Sequence, residues 1–185
     1  MANCKGIAVL TRLTYAEVHH GAEGRKQLLE SLEPAQRAML EGHVLPHAWV
    51  PFDLFIALNV NADRLFGSGD LSLCRTMGAW SAEKSLPTLF RIFYRFGTPM
   101  FIFGKAAKLW SHHYDSGWLE PQSPAPNEVR LLIHDLQSPH RAHCLSVLGW
   151  AGRSIEMSGG KLVVQEETRC RTRGAPVCEL RLTWT

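Results

Sequence analysis

Along the first two-thirds of the chain, apolar residues recur mainly at helical spacing. Ile7–Leu13 is a short apolar run that reads as an opening strand. Tyr15–Leu32 carries Leu28, Leu29 and Leu32 on one helical face, with His19, His20, Gly21 and Gly24 interrupting its early part. Glu33-Pro34 starts a short helix through Leu40, since a first-turn proline gives up only an N–H that has no helical partner. Pro51 opens a further helix through Phe52, Phe55, Ile56 and Leu58 to Phe66. Gly67–Asp70 is a loop whose Asp70 caps a helix over Leu71–Ser85, with Leu73, Met77 and Trp80 on one face. Leu86–Phe96 and Met100–Tyr114 follow, separated by Gly97-Thr98-Pro99 and apolar on more than one side. That pattern suits a buried helix or one lining a cavity.

The period changes after Tyr114. Trp118–Glu120 reads as a short strand and Pro121–Pro126 as a loop, while Glu128–Leu136 alternates Val129, Leu131 and Ile133 with polar residues, as a strand does. Ser138-Pro139 marks a helix start, and His140–Met157 carries Cys144, Val147, Leu148, Ala151 and Ile155 along one face until Ser158-Gly159-Gly160. Lys161–Arg169 and Cys178–Trp184 are then two strands joined across Arg171–Pro176. The expected fold is α+β, a single domain over residues 1–185. A helical N-terminal half packs on a small antiparallel sheet that ends in a β-hairpin.

Composition narrows the function classes. With 185 residues, 45% of them hydrophobic, the chain has enough apolar material for a core of its own and too much for intrinsic disorder. The net charge is only +3, and Lys and Arg are interspersed with acids except at Arg169, Arg171 and Arg173, so no basic face points to nucleic acid. The longest apolar stretch, Phe101–Trp110, is broken by Lys105 and Lys108 and does not make a membrane span. The opening MANCKGIAVL is too short an apolar run for a signal peptide, and five cysteines, an odd number, argue against a disulfide framework. A cytoplasmic protein is expected. No G-x-S-x-G, H-E-x-x-H or Walker loop occurs, and Glu166 and Glu167 face opposite ways on a strand, so no enzyme is expected.

The densest chemistry lies in the last quarter. Cys144 sits near a helix start, Glu167 and Cys170 near a strand end, and Cys178 at the opening of the next strand. A hairpin brings the last three together, and a helix packed on the sheet can deliver Cys144. Three thiolates and one carboxylate complete a closed, structural zinc site. On spacing alone, a C-x7-C pair is equally at home as two buried small hydrophobes or a disulfide. Cys4 and Cys74 have no partner pattern and read as core. His140 and His143 flank Cys144, where His143 can replace or orient a ligand. His112 and His113, like His19 and His20, are adjacent, so their rings diverge by about 100° on a helix and do not share a metal. The aromatic residues Phe90, Phe93, Tyr94, Phe101 and Trp110 read as core or as the wall of an apolar pocket, with Tyr94 and His134 as polar handles.

The stretch Gly160–Trp184, GKLVVQEETRCRTRGAPVCELRLTW, resembles the C-terminal hairpin of the 4-vinyl-reductase-type ligand-binding domains, the sensor modules of phenol- and xylene-responsive activators. Their zinc site takes a helix Cys followed by Glu-x2-Cys-x7-Cys. The resemblance implies zinc on Cys144, Glu167, Cys170 and Cys178. Nearly the whole chain is also similar to a group of proteins abundant in myxobacteria and their relatives. That similarity runs through HHGAEG at His19–Gly24, LPHAWVPF at Leu45–Phe52, YDSG at Tyr114–Gly117 and HCLSVLGW at His143–Trp150. It implies the nitric-oxide-signalling/Golgi-transport ligand-binding fold, which haem-based gas sensors and TRAPP tethering subunits also use. The haem sensors clamp propionates with Tyr-x-Ser-x-Arg. Here Tyr114 and Ser116 are kept and Trp118 replaces the arginine. The expected function is a small-molecule sensor with an apolar pocket for an apolar or aromatic ligand, signalling through a homodimer or a partner protein. A TRAPP-like interaction scaffold is the alternative, and a haem gas sensor a distant one.

Overall fold

The computed structural model describes residues 2–84 and 98–185. A strand β1 (Asn3–Lys5) leads directly into α1 (Gly6–Glu30), whose backbone leaves helical geometry at Gly21 (φ 71°). The first apolar run is therefore helix and not strand. A seven-residue apolar run bounded by polar residues does not distinguish a buried helix from a buried strand. The break foreseen among His19–Gly24 falls at Gly21. Next come α2 (Pro34–Glu41), β2 (Trp49–Pro51), α3 (Phe52–Phe66) and α4 (Ser72–Lys84). Strand β2 pairs antiparallel with β1, Cys4 opposite Val50. The expected helix over Leu86–Phe96 lies outside the described residues.

Helix α5 (Pro99–His113) is capped by the Thr98 side chain, which accepts from the Phe101 N–H. After it, β3 (Trp118–Ala125), β4 (Glu128–His134), β5 (Leu162–Arg169) and β6 (Cys178–Trp184) form one antiparallel sheet in the order β3-β4-β6-β5. The expected loop at Pro121–Pro126 is largely strand. Its prolines are tolerated because β3 is an edge strand, bonded to a neighbour on one side only. Between β4 and β5 runs α6 (Arg141–Met157), started by His140, whose ring Nδ1 accepts the Ala142 N–H at 3.1 Å. Twelve of its 17 residues are buried. It is the central helix, packed on α4 on one side and on β5 and β6 on the other. The architecture is α+β, as expected.

Asp70 caps α4 as foreseen, accepting the Ser72 N–H at 2.9 Å. A second carboxylate does more. The fully buried Asp63 accepts N–H groups from Leu71 and Leu73, both at 2.9 Å, and holds Leu71 in the left-handed region (φ 71°). Removing it strands two half-buried donors. Asp63→Ala is expected to cost about 2–4 kcal/mol, read by chemical denaturation.

Candidate functional site

The head of α6 and the C-terminal hairpin converge on three sulfurs. Cys144 lies in the first turn of α6, Cys170 follows β5, and Cys178 opens β6 opposite Ile133 of β4. A single turn of 3₁₀-helix (Arg171–Arg173) with Gly174 in the left-handed region (φ 85°) folds the connection back, and both Arg173 and Ala175 donate their N–H to the Cys170 carbonyl. The three Sγ atoms are buried and lie within 4.8 Å of one another. Sulfurs around tetrahedral zinc stand about 3.8 Å apart, so closing on an ion takes about 1 Å at most.

Glu167 stands beside this trio and is not one of the three mutually close ligand atoms. Two residues apart on a regular strand, side chains share a face, whereas three apart they oppose. Here the β5–β6 register slips between Glu167 and Arg169, and this bulge returns Cys170 to the face of Glu167. Glu167 Oε2 accepts from Arg141 Nε at 2.9 Å and Arg173 Nη2 at 3.1 Å. Its other oxygen, Oε1, is buried with no hydrogen-bond partner among the described residues. Burial pushes this carboxyl up, against the pull of Arg141. A buried carboxylate oxygen without a donor, next to three thiols, is a donor set that fits a zinc ion.

The surroundings favour thiolate at Cys170 and Cys178. Cys144 donates S–H to both neighbours and, being buried as well, has its own thiol pushed up. The same donation pulls Cys170 down to about 4 and lowers Cys178. The Arg171 N–H also donates to Cys178 Sγ at 3.3 Å, and Thr172 Oγ1 lies 3.0 Å from Cys170 Sγ. Cys4 and Cys74 behave as core, each buried with its thiol pushed up to about 12 by burial. His143 is no ligand to the trio. Its ring is fully buried between Phe52, Phe55, Trp110 and Tyr114, both nitrogens lack hydrogen-bond partners among the described residues, and burial pulls it down to about 3.

A second feature is a cavity of about 710 Å³ bounded by α1, α3, α4, α5, α6 and β3. Of the expected pocket residues, Phe101 and Trp110 are on its wall. Phe90, Phe93 and Tyr94 lie outside the described residues. His134 is a correction: it stacks on Trp118 at 3.9 Å between ring centroids, bonds Glu120 Oε2 through Nε2 at 2.9 Å, and does not line the cavity. Strand β4 alternates, and His134 falls on the face away from Val129, Leu131 and Ile133. The wall includes a residue that the sequence reading passed over, Arg12, which is 3% exposed. Its Nε donates to Asn59 Oδ1 at 2.8 Å, Nη1 to Ser81 Oγ at 2.6 Å and Nη2 to Ser146 Oγ at 2.5 Å. A lone arginine inside the apolar run IAVLTRLTY was the available signal.

No protein-family model and no curated protein sequence matches the chain. Solved structures do. An H-NOX protein from S. oneidensis, solved in the Fe(II)NO state, superposes with a TM-score of 0.75 at 14% identity, covering 98% of this chain and 99% of that one. An unliganded Fe(II) H-NOX protein from K. algicida gives 0.69 at 13%, covering 98% and 96%. An oxygen-binding H-NOX domain related to soluble guanylate cyclases gives 0.67 at 14%, covering 98% and 95%. The chain has the H-NOX fold. At such identity the likeness carries architecture and no ligand.

Among the described residues, neither the wall histidine nor the turn after α5 is built to hold haem. Haem needs an axial ligand on the wall and a cation for its propionates. Among the described residues the histidine on the wall is His113, exposed at the end of α5. In the turn after α5, Asp115 is held by Asn3, whose N–H and Nδ2 both donate to it, at 2.7 and 2.6 Å. Ser116 Oγ accepts the Gln137 N–H at 3.3 Å, and Trp118 stacks outward on His134. The turn is spent on holding the chain. It leaves no propionate clamp.

Proposed function

We propose that this chain is a non-enzymatic, small-molecule-binding sensor domain of the 4-vinyl-reductase type, built on the H-NOX fold and clasped by one structural zinc. The observation that carries this reading is the open apolar cavity between the helices, in a fold whose solved neighbours include an Fe(II)NO state and an oxygen complex. Zinc on Cys144, Cys170 and Cys178, with Glu167 as the fourth ligand, would tie the hairpin to α6. That helix also supplies Ser146, Val147 and Trp150 to the cavity wall, so a ligand that shifts α6 would be felt at the clasp. The signal would pass to a second copy or to a partner protein in the cytoplasm. Among the described residues, no helix is long and apolar enough to cross a membrane.

The test is a thermal-shift screen of small aromatic and aliphatic compounds, run on the protein and on Ala106→Trp. Ala106 lines the cavity from α5, and a tryptophan there fills part of it. A ligand at a hundred times its Kd stabilises by about 2.7 kcal/mol, or about 5–10 °C for a chain this size. The expected result is such a shift in the wild type and its loss in a folded Ala106→Trp. Indifference of the wild type to every compound overturns the sensor reading in favour of an interaction scaffold.

A further inference from the structure

Among the described residues, the bases on the cavity wall are Arg12, Lys105 and His113, joined by the Tyr114 phenol, and no Asp or Glu lines it. Arg12 sits deepest. It is fully buried, packed over the Phe55 ring at 5.0 Å, and forms no ion pair with a described carboxylate. The buried acid of α3, Asp63, is committed to the Leu71 and Leu73 N–H groups. The partners of Arg12 are three neutral oxygens, on Asn59, Ser81 and Ser146. A guanidinium has five N–H donors, so two remain beyond these bonds. Burial pulls Arg12 down to about 10, which leaves it cationic at neutral pH.

A buried cation held by neutral acceptors alone is poorly compensated, and proteins normally set an anion against it. The neutral acceptors here do something else. Asn59 is fixed from α3 by its own bond to the Phe55 carbonyl at 2.7 Å, and Ser81 from α4 by its bond to the Met77 carbonyl at 2.7 Å. The fork is thus immobilised from two helices on the cavity wall, and among the described residues no further acceptor takes its other two N–H groups. Above it the wall is apolar: Ile7, Ala8, Ile102, Leu109, Val147 and Trp150. Lys105 stands on the same wall, its Nζ 5.3 Å from the Phe101 ring centroid.

We infer that the cavity takes an apolar monocarboxylate whose carboxylate pairs with Arg12 and whose hydrocarbon body lies against the helices. This rests on the pocket reading above and deepens it by naming the ligand class. Tyr114, a phenol pushed further from ionisation by burial, lines the same cavity and would be a second donor for the anion. The carboxylate supplies the missing counter-charge at the fork, and the 710 Å³ volume accommodates a body of about ten carbons.

The experiment is calorimetric titration of the whole chain with decanoate and with 1-decanol, repeated on Arg12→Gln and Lys105→Gln, with haemin as a third probe. The expected result is decanoate binding about ten- to a hundredfold tighter than decanol in the wild type, the range for a hydrogen-bonded charge. That ratio falls to about one in Arg12→Gln and stays within about threefold in Lys105→Gln. If Arg12→Gln does not fold, the wild-type ratio and Lys105→Gln decide. Equal binding of acid and alcohol overturns the inference and leaves the pocket reading standing. A ratio that collapses in Lys105→Gln overturns the assignment to Arg12. A one-to-one haemin complex with a Soret band that excludes decanoate overturns the monocarboxylate in favour of a porphyrin. Binding of none of the three overturns this inference, and only the compound screen then speaks for the pocket.

Discussion

Cys170→Ser is expected to strip the protein of one zinc per chain and to lower its melting temperature by about 7–20 °C. Apparent zinc binding energies in small structural sites are about 10–16 kcal/mol, most of it folding free energy when the unfolded chain has no site. This domain has a core besides the clasp, so about a third of that, roughly 3–5 kcal/mol, is the part at risk, and each kcal/mol moves the midpoint by about 2–4 °C. Elemental analysis and a melting curve on protein purified without added metal check it. Cys74→Ser is the control, because Cys74 is equally buried but bonds the Asn59 carbonyl, on another part of the core, and its loss leaves the zinc in place. Glu167→Gln keeps the shape and the contacts to Arg141 and Arg173 but weakens a carboxylate ligand, and is expected to lower zinc affinity with the stoichiometry still near one. Unchanged zinc in Cys170→Ser would sink the ligand assignment. No zinc in the wild type would reduce the trio to core packing.

The elements that could be read in advance were those with one dominant local signal. Pro34 and Pro51 announce the starts of α2 and α3, Gly97-Thr98-Pro99 that of α5, and the alternation through Val129, Leu131 and Ile133 the face of β4. Where two physical effects compete, the reading went wrong. Ile7–Leu13 is apolar enough for a buried strand, and only its packing against α3 and α4 makes it a helix. The strand through Pro121–Pro126 depends on being at the sheet edge, a property of topology that no local window contains. The cysteine trio was legible because residue type and order are written in the chain. The bulge that turns Cys170 toward Glu167 was not, since it arises from pairing with β6. His134 was assigned to the pocket on its chemistry alone, while strand alternation places it on the opposite face. Arg12 was missed for the converse reason. A charge inside an apolar run does not by itself announce burial, and it is the burial that gives the cavity its sign.

Gly149→Ala is expected to destabilise the fold by about 1–3 kcal/mol, or about 2–12 °C, even though alanine is the better helix former by about 1 kcal/mol. Helices α4 and α6 cross backbone to backbone. A Cβ on Gly149 would overlap the Arg75 carbonyl oxygen and stand 2.7 Å from its carbon, and one on Gly78 would overlap the Ser146 carbonyl oxygen and stand 2.8 Å from its carbon. These neighbours are main chain in two packed helices, so neither can turn aside as a side chain can, and the crossing must open. Gly104→Ala in α5 is the matched control, because a Cβ there meets nothing within 4 Å and the gain in helix propensity should stand alone. The two crossing sites should also be coupled. Once Gly149→Ala has pushed the helices apart, Gly78→Ala costs less than it does alone, and the double variant falls short of the sum. The same opening carries Ser146 away from Arg12, whose Nη2 it accepts, and so loosens the fork that the cavity presents. A folded Gly149→Ala that melts with the wild type would show that the crossing has slack, and with it that the position of Arg12 does not depend on the contact between α4 and α6.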